Sequence, residues 1–155
     1  MNLFPRRIVP AGLLQLILEN GCKRINIFSQ IVGTLTLNQE SQLEFLNTAW
    51  NTNPRVLTVL LASCHSLVYL SLSNVILNRD MISSICYQNG QTLKVLKLTH
   101  CKRFSGETKP EWIQGRWIQL IVDNCPELCV LDLDGTPLSD EYIEHLAKNV
   151  TPKIS

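Results

Sequence analysis

Leu67–Ser73 reads LVYLSLS, with leucine at its first, fourth and sixth positions. The alternation in its second half is that of a strand with one face buried. The same LxxLxL phrase returns as LKVLKLT from Leu93 and as LCVLDLD from Leu128. A weaker copy, LEFLNTA from Leu43, has Thr48 where the third leucine belongs. The first leucines of the four copies are 24, 26 and 35 residues apart. Two of these intervals fit one repeated structural unit, and the third fits the same unit carrying an insertion.

The flanks keep the same register. Cys64, Gly90 and Cys125 each stand three residues before a first leucine, and Cys22 stands in that relation to Ile25. Cys101 follows the last leucine of the Leu93 copy by three. Between the copies lie helix-like segments. Pro54–Cys64 opens with proline at a helix start. Arg79–Gly90 spaces Met81, Ile82, Ile85 and Cys86 along one face and closes on Asn89-Gly90, a helix stop. The segment WIQGRWIQLIVDNCP, from Trp112, aligns Ile113, Trp117, Leu120 and Ile121, and Pro126 ends it. In SDEYIEHLAKN, Ser139 is placed as an N-cap with acids in the first turn, where the helix dipole favours them. Strand, turn and helix in this period predict an α/β leucine-rich-repeat solenoid, with short parallel strands on the concave side and helices on the convex side.

The pattern divides the chain into an N-terminal part, residues 1–42, and a repeat part, residues 43–155. The N-terminal part holds a core-facing helix over Pro10–Asn20 and two strand-like stretches, RINIF and GTLTL, which leave its register open. One more unit counted from Leu128 arrives at Ile154, so the repeat part is expected to stop at a unit boundary. Six cysteines in this setting are expected to be buried free thiols in a reducing compartment rather than a disulfide framework. A hydrophobic fraction of 45% and a charged fraction of 17% describe a globular chain. The net charge of +1 gives no general attraction to nucleic acid or to an anionic membrane. No apolar run reaches the roughly 18 residues that a spanning helix needs. The apolar start is broken by Pro10, Gly12 and Gln15, unlike a signal peptide.

Three stretches, LLASCHSLVYLSLSN, ICYQNGQTLKVLKLTHC and NCPELCVLDLDGTPLSDEYIEHLAKN, resemble the F-box leucine-rich-repeat proteins, and most of all their S-phase-kinase-associated F-box protein branch. The resemblance covers Leu43–Ser155. It implies substrate recognition for a cullin-based (SCF-type) ubiquitin ligase, acting in ubiquitin-dependent protein catabolism in the cytoplasm or nucleus. The F-box that docks the ligase adaptor in that family is not evident here. Docking is therefore expected only if an F-box lies outside this chain. The competing reading is a ligase-independent repeat scaffold or inhibitor.

Enzyme chemistry has one lead. Asp132-Leu133-Asp134-Gly135-Thr136 follows an apolar strand, as in the DxDGT nucleophile motif of haloacid-dehalogenase-type phosphatases. Such a site also needs a downstream lysine and a further acidic pair, and 19 residues follow Thr136. The repeat already accounts for Leu128, Leu131 and Leu133, so the expectation is no enzyme and no cofactor. The Cys64-His65 and His100-Cys101 pairs, with Cys125 and Cys129, do not converge as zinc ligands would. No acid orients His65, His100 or His145 toward a nucleophile. Asn149-Val150-Thr151 matches a glycosylation sequon, expected to be silent in an intracellular protein. The insertion from Lys102, bounded by Trp112 and Trp117, is a candidate partner-contacting loop.

Residues alternating with the leucines face outward. They form three rows: Phe45, Tyr69, Val95 and Val130; then Asn47, Ser71, Lys97 and Asp132; then Ala49, Ser73, Thr99 and Asp134. An apolar row with aromatics beside polar rows is typical of protein-binding surfaces. The expected partner is a protein or peptide with an apolar strip and with basic character toward the Asp132 and Asp134 end.

Overall fold

The computed structural model describes residues 2–3, 8–49, 52–103, 115–138, 140 and 143–144. Six strands make one parallel sheet in chain order: β1 (Asn2–Leu3), β3 (Arg24–Ile27), β5 (Phe45–Ala49), β6 (Tyr69–Ser73), β8 (Val95–Thr99) and β10 (Val130–Asp132). Parallel neighbours need a crossover connection, and helices supply most of them. These are α1 (Ala11–Glu19), α2 (Pro54–Ser63), α3 (Arg79–Ser83) continuing into a π-helical turn over Ser84–Gln88, and α4 (Gly115–Asn124). Two small parallel ladders flank the sheet. One pairs β2 (Ile8–Pro10) with β4 (Gln30–Val32), the other β7 (Ile76–Leu77) with β9 (Lys102–Arg103). The chain is thus an α/β protein with parallel sheets and helices.

Strand pairing aligns the leucines in layers. Ile25 pairs with Leu46, Leu46 with Leu70, Leu70 with Leu96, and Leu96 with Leu131. Ile27, Thr48, Leu72 and Leu98 form the next inward layer. Leu43, Leu67 and Leu93, ahead of their strands, are fully buried. The helices close this core with Leu57, Leu60 and Leu61 from α2, Met81, Ile82 and Ile85 from α3 and its extension, and Ile118 and Ile121 from α4. Each aliphatic side chain taken out of water in this way contributes about 1.5–3 kcal/mol.

Local chemistry sets the helix ends. Asn53 caps α2 by accepting from the Arg55 N–H at 2.9 Å, with Pro54 in the first turn. Asn78 caps α3 through the Met81 N–H at 2.8 Å and also donates to the Thr58 hydroxyl on α2. Asn89 is fully buried, yet its amide donates to the Ser84 carbonyl and accepts from the Leu67 N–H. A buried amide is tolerated because it is bonded on both sides. Gly90, at the end of this helical segment, has no room for a side chain: a Cβ there would lie 2.2 Å from the Asn124 carbonyl oxygen and 2.3 Å from that of Cys86.

Several expectations need correction. Cys22 does not occupy the position of Cys64. Ile25 pairs with Leu46, the second leucine of its copy, so Cys22 takes the place of the first leucine, three residues off the expected alignment. GTLTL is not a strand. The strand lies just before it, at Gln30–Val32, and 33–44 returns to β5 without a helix, with Leu35 buried. On α4 the fully buried residues are Ile118 and Ile121, whereas Trp117 and Leu120 are half-buried. Cys64, Cys86, Cys101 and Cys125 are buried free thiols, but Cys22 is half-exposed and Cys129 exposed. Ile113, Ser139, Trp112, most of the insertion, the sequon and Ile154 lie outside the described residues.

Candidate functional site

The outward face of the sheet brings the proposed rows together. Phe45, Tyr69, Val95 and Val130 are consecutive partners across β5, β6, β8 and β10. All four are half-buried. The Phe45 and Tyr69 rings stack with centroids 4.4 Å apart and planes 13° apart. Arg24 on β3 continues the row, its guanidinium 4.6 Å above the Phe45 ring. A cation over an aromatic face and a stacked pair each contribute about 0.5–1.5 kcal/mol and fix the rings in place.

The second row runs Asn26, Asn47, Ser71, Lys97 and Asp132. Asn47 donates its amide to the Asn26 side-chain oxygen at 3.1 Å. Ser71 is buried at 8% exposure, in the floor of the face rather than on a ridge. Lys97 and Asp132 form an ion pair at 3.6 Å. The third row is shorter than expected. Ala49, Ser73 and Thr99 are paired and half-buried, but Asp134 lies beyond the end of β10. There its N–H donates to the Asp132 carboxylate at 3.1 Å, and its carbonyl accepts from the His100 N–H at 2.8 Å. The Asp134 carboxylate is exposed. Arg24 and Asn26 were absent from the expected rows because Cys22 hid the register of β3.

One device repeats where the strands end. Asn74, His100 and Gly135, each two residues after the last core position of a copy, have φ of 56°, 53° and 61°. Asparagine and glycine adopt this left-handed conformation most easily. The His100 ring fills the space beside Gly135, where a Cβ would come within 2.0 Å of its Nδ1. Thr136 follows: its hydroxyl accepts from the Cys101 N–H at 3.0 Å and donates to the Leu98 carbonyl. Every residue of the DxDGT stretch therefore has a structural position. Asp132 and Asp134 face outward, Leu133 packs against the core, Gly135 turns and Thr136 ties two units together. Among the described residues no three His, Cys, Asp or Glu side chains gather as they would around a metal ion. No helix among them is long and apolar enough to cross a membrane.

The thiols sort by environment. Burial pushes Cys64 and Cys101 up to about 11. Cys86 and Cys125 are neighbours whose interaction, together with burial, raises Cys86 and lowers Cys125. This pair joins the end of one helical segment to the end of the next. Cys64 bonds instead to the Leu60 carbonyl, so it and Cys125 belong to separate surroundings. On the helix side, an open hollow of about 470 Å³ lies between 37–40 and α2, bordered by Glu40, Val59 and His65.

Comparison with protein-family models, curated proteins and solved structures returns no match.

Proposed function

We propose that the chain is a leucine-rich-repeat solenoid that binds a protein or peptide on its concave sheet face. We propose further that it serves substrate recognition for a cullin-based ubiquitin ligase in the cytoplasm or nucleus. The observation that carries the binding reading is the outward row Arg24–Phe45–Tyr69–Val95–Val130, aligned across five parallel strands beside a polar row. Rigid aromatics on a preformed surface lose little entropy when a partner docks. Each unit alone buries too little to fold, and stacking both completes the core and builds the face. The ligase role is carried by the resemblance of Leu43–Ser155 to F-box leucine-rich-repeat proteins. No catalytic role is proposed.

The experiment is capture of partners by the full chain and by its Tyr69→Ala, Asp132→Lys double variant, with circular dichroism showing that both are folded. The reading predicts that the double variant loses the specific partners; undiminished capture sinks this face as the site. Captured partners whose ubiquitination and turnover depend on a cullin-based ligase support the ligase role. Partners whose turnover is independent of such a ligase favour the ligase-independent scaffold or inhibitor.

A further inference from the structure

The chemistry of the face narrows what can occupy it. This inference rests on the reading of the sheet face as a protein-binding surface. The Phe45 ring is covered on one side by the Arg24 guanidinium and on the other by Tyr69. Ring planes 13° apart and 4.4 Å between centroids match the roughly 4.8 Å between neighbouring strands. The rings therefore stand upright along the cross-strand direction. An incoming ligand meets their edges, not their faces. Ring edges carry the positive end of the aromatic quadrupole, so they match the negative face of another aromatic ring and repel a cation. The cation position over Phe45 is already filled by Arg24.

The matching site for a cation lies at the other end of the row. Asp132 shares its charge with Lys97 at 3.6 Å, whereas the carboxylate of Asp134 is exposed and meets no partner among the described residues. Two carboxylates against one ammonium leave a net negative charge there. Tyr69 lies opposite Val130 across β8, and Asp132 is two residues further along β10, so two strand spacings and that offset separate Tyr69 from Asp132 by roughly 12 Å. An extended peptide crossing the strands obliquely covers that distance in about three to four residues. Val95 and Val130 line the path between as a half-buried apolar floor.

We propose that the face takes an extended peptide whose aromatic side chain lies flat across the edges of Phe45 and Tyr69. A lysine or arginine three or four residues away would then reach the Asp132 and Asp134 carboxylates.

The test is selection of a random peptide library on the immobilised full chain, followed by anisotropy titration of the enriched peptide. The expected result is enrichment of an aromatic residue with a basic residue three or four positions away in one direction. Asp134→Lys should weaken that peptide at least tenfold, and a peptide with glutamate in place of the basic residue should regain affinity for this variant. Enriched peptides without the aromatic–basic spacing overturn the proposal, as does binding indifferent to Asp134→Lys. A library that yields no binder also overturns it. A folded partner captured by the wild type and lost by the Tyr69→Ala, Asp132→Lys variant would then keep the broader reading standing without it.

Discussion

Thr48 and Thr136 submit the same chemical change to opposite environments. Thr48 stands where its copy should carry a third leucine, between Ile27 and Leu72, and is fully buried. Among the described residues its hydroxyl has no hydrogen-bond partner. Thr136 is buried too, but its hydroxyl accepts from the Cys101 N–H and donates to the Leu98 carbonyl. Valine replaces the hydroxyl by a methyl of nearly the same shape in both places. At Thr48 it removes an unsatisfied polar group and adds apolar contact, a gain of about 1–2 kcal/mol. At Thr136 it strands the buried Cys101 N–H, a loss of about 1–3 kcal/mol. A domain of this size shifts its melting temperature by roughly 2–4 °C per kcal/mol. Thr48→Val should therefore melt about 2–8 °C higher and Thr136→Val about 2–12 °C lower, read by thermal or urea denaturation of both variants. A Thr48→Val chain that melts lower than wild type, or a neutral Thr136→Val, would refute the assignment of these two hydroxyls.

Gly135→Ala should destabilise strongly, because its Cβ meets the His100 ring and the position is left-handed. Adding His100→Gly should recover the steric part and leave the backbone cost of about 1–2 kcal/mol, as a double-mutant cycle would show. Gly90→Ala should be worse and admit no such rescue, since its Cβ would meet two backbone carbonyls; loss of soluble folded protein is the readout. The raised values of Cys64 and Cys101 mean that the unfolded chain ionises these thiols from about 9 and the folded chain only near 11. Their stabilising contribution is intact below pH 9 and falls as pH rises toward 11, by about 1.4 kcal/mol per unit for each thiol, which urea titrations across that range would measure. Thiol reagents should label Cys129 first and Cys22 next under native conditions, and rapid labelling of Cys64 would contradict the core. Magnesium-dependent hydrolysis of a phosphate monoester, lost in Asp132→Asn, would revive the phosphatase reading of the DxDGT stretch; no such activity is expected.

Legibility followed the strength of the local signal. From Leu43 onward the leucines recur in one register, and the outward residues follow from alternation alone, so Phe45, Tyr69, Val95 and Val130 could be named in advance. Before Leu43 the signal changes. Isoleucines replace leucines in β3, Cys22 stands in for the first leucine, and 33–44 forms no helix, so the short interval to β5 did not match the others. TLTL alternates as a strand would, but only Leu35 of the pair Leu35 and Leu37 is fully taken into the core. The left-handed corner has no sequence signature, because three different residues, Asn74, His100 and Gly135, fill it. The Cys86–Cys125 contact depends on how successive helical segments stack, which spacing within one copy does not reveal. Alternation places Asp134 in the third row, but alternation cannot foresee that β10 ends at Asp132.

The binding face is tested most directly by photo-cross-linking. A photoreactive amino acid is placed singly at Asn47 or Lys97 on the sheet face, and at Val59 or Tyr87, exposed on the helical segments. Each variant is irradiated with a partner that the wild-type chain captures. Cross-links from Asn47 and Lys97 and none from Val59 and Tyr87 are the predicted result. Cross-links confined to Val59 and Tyr87 would contradict the sheet face as the binding surface.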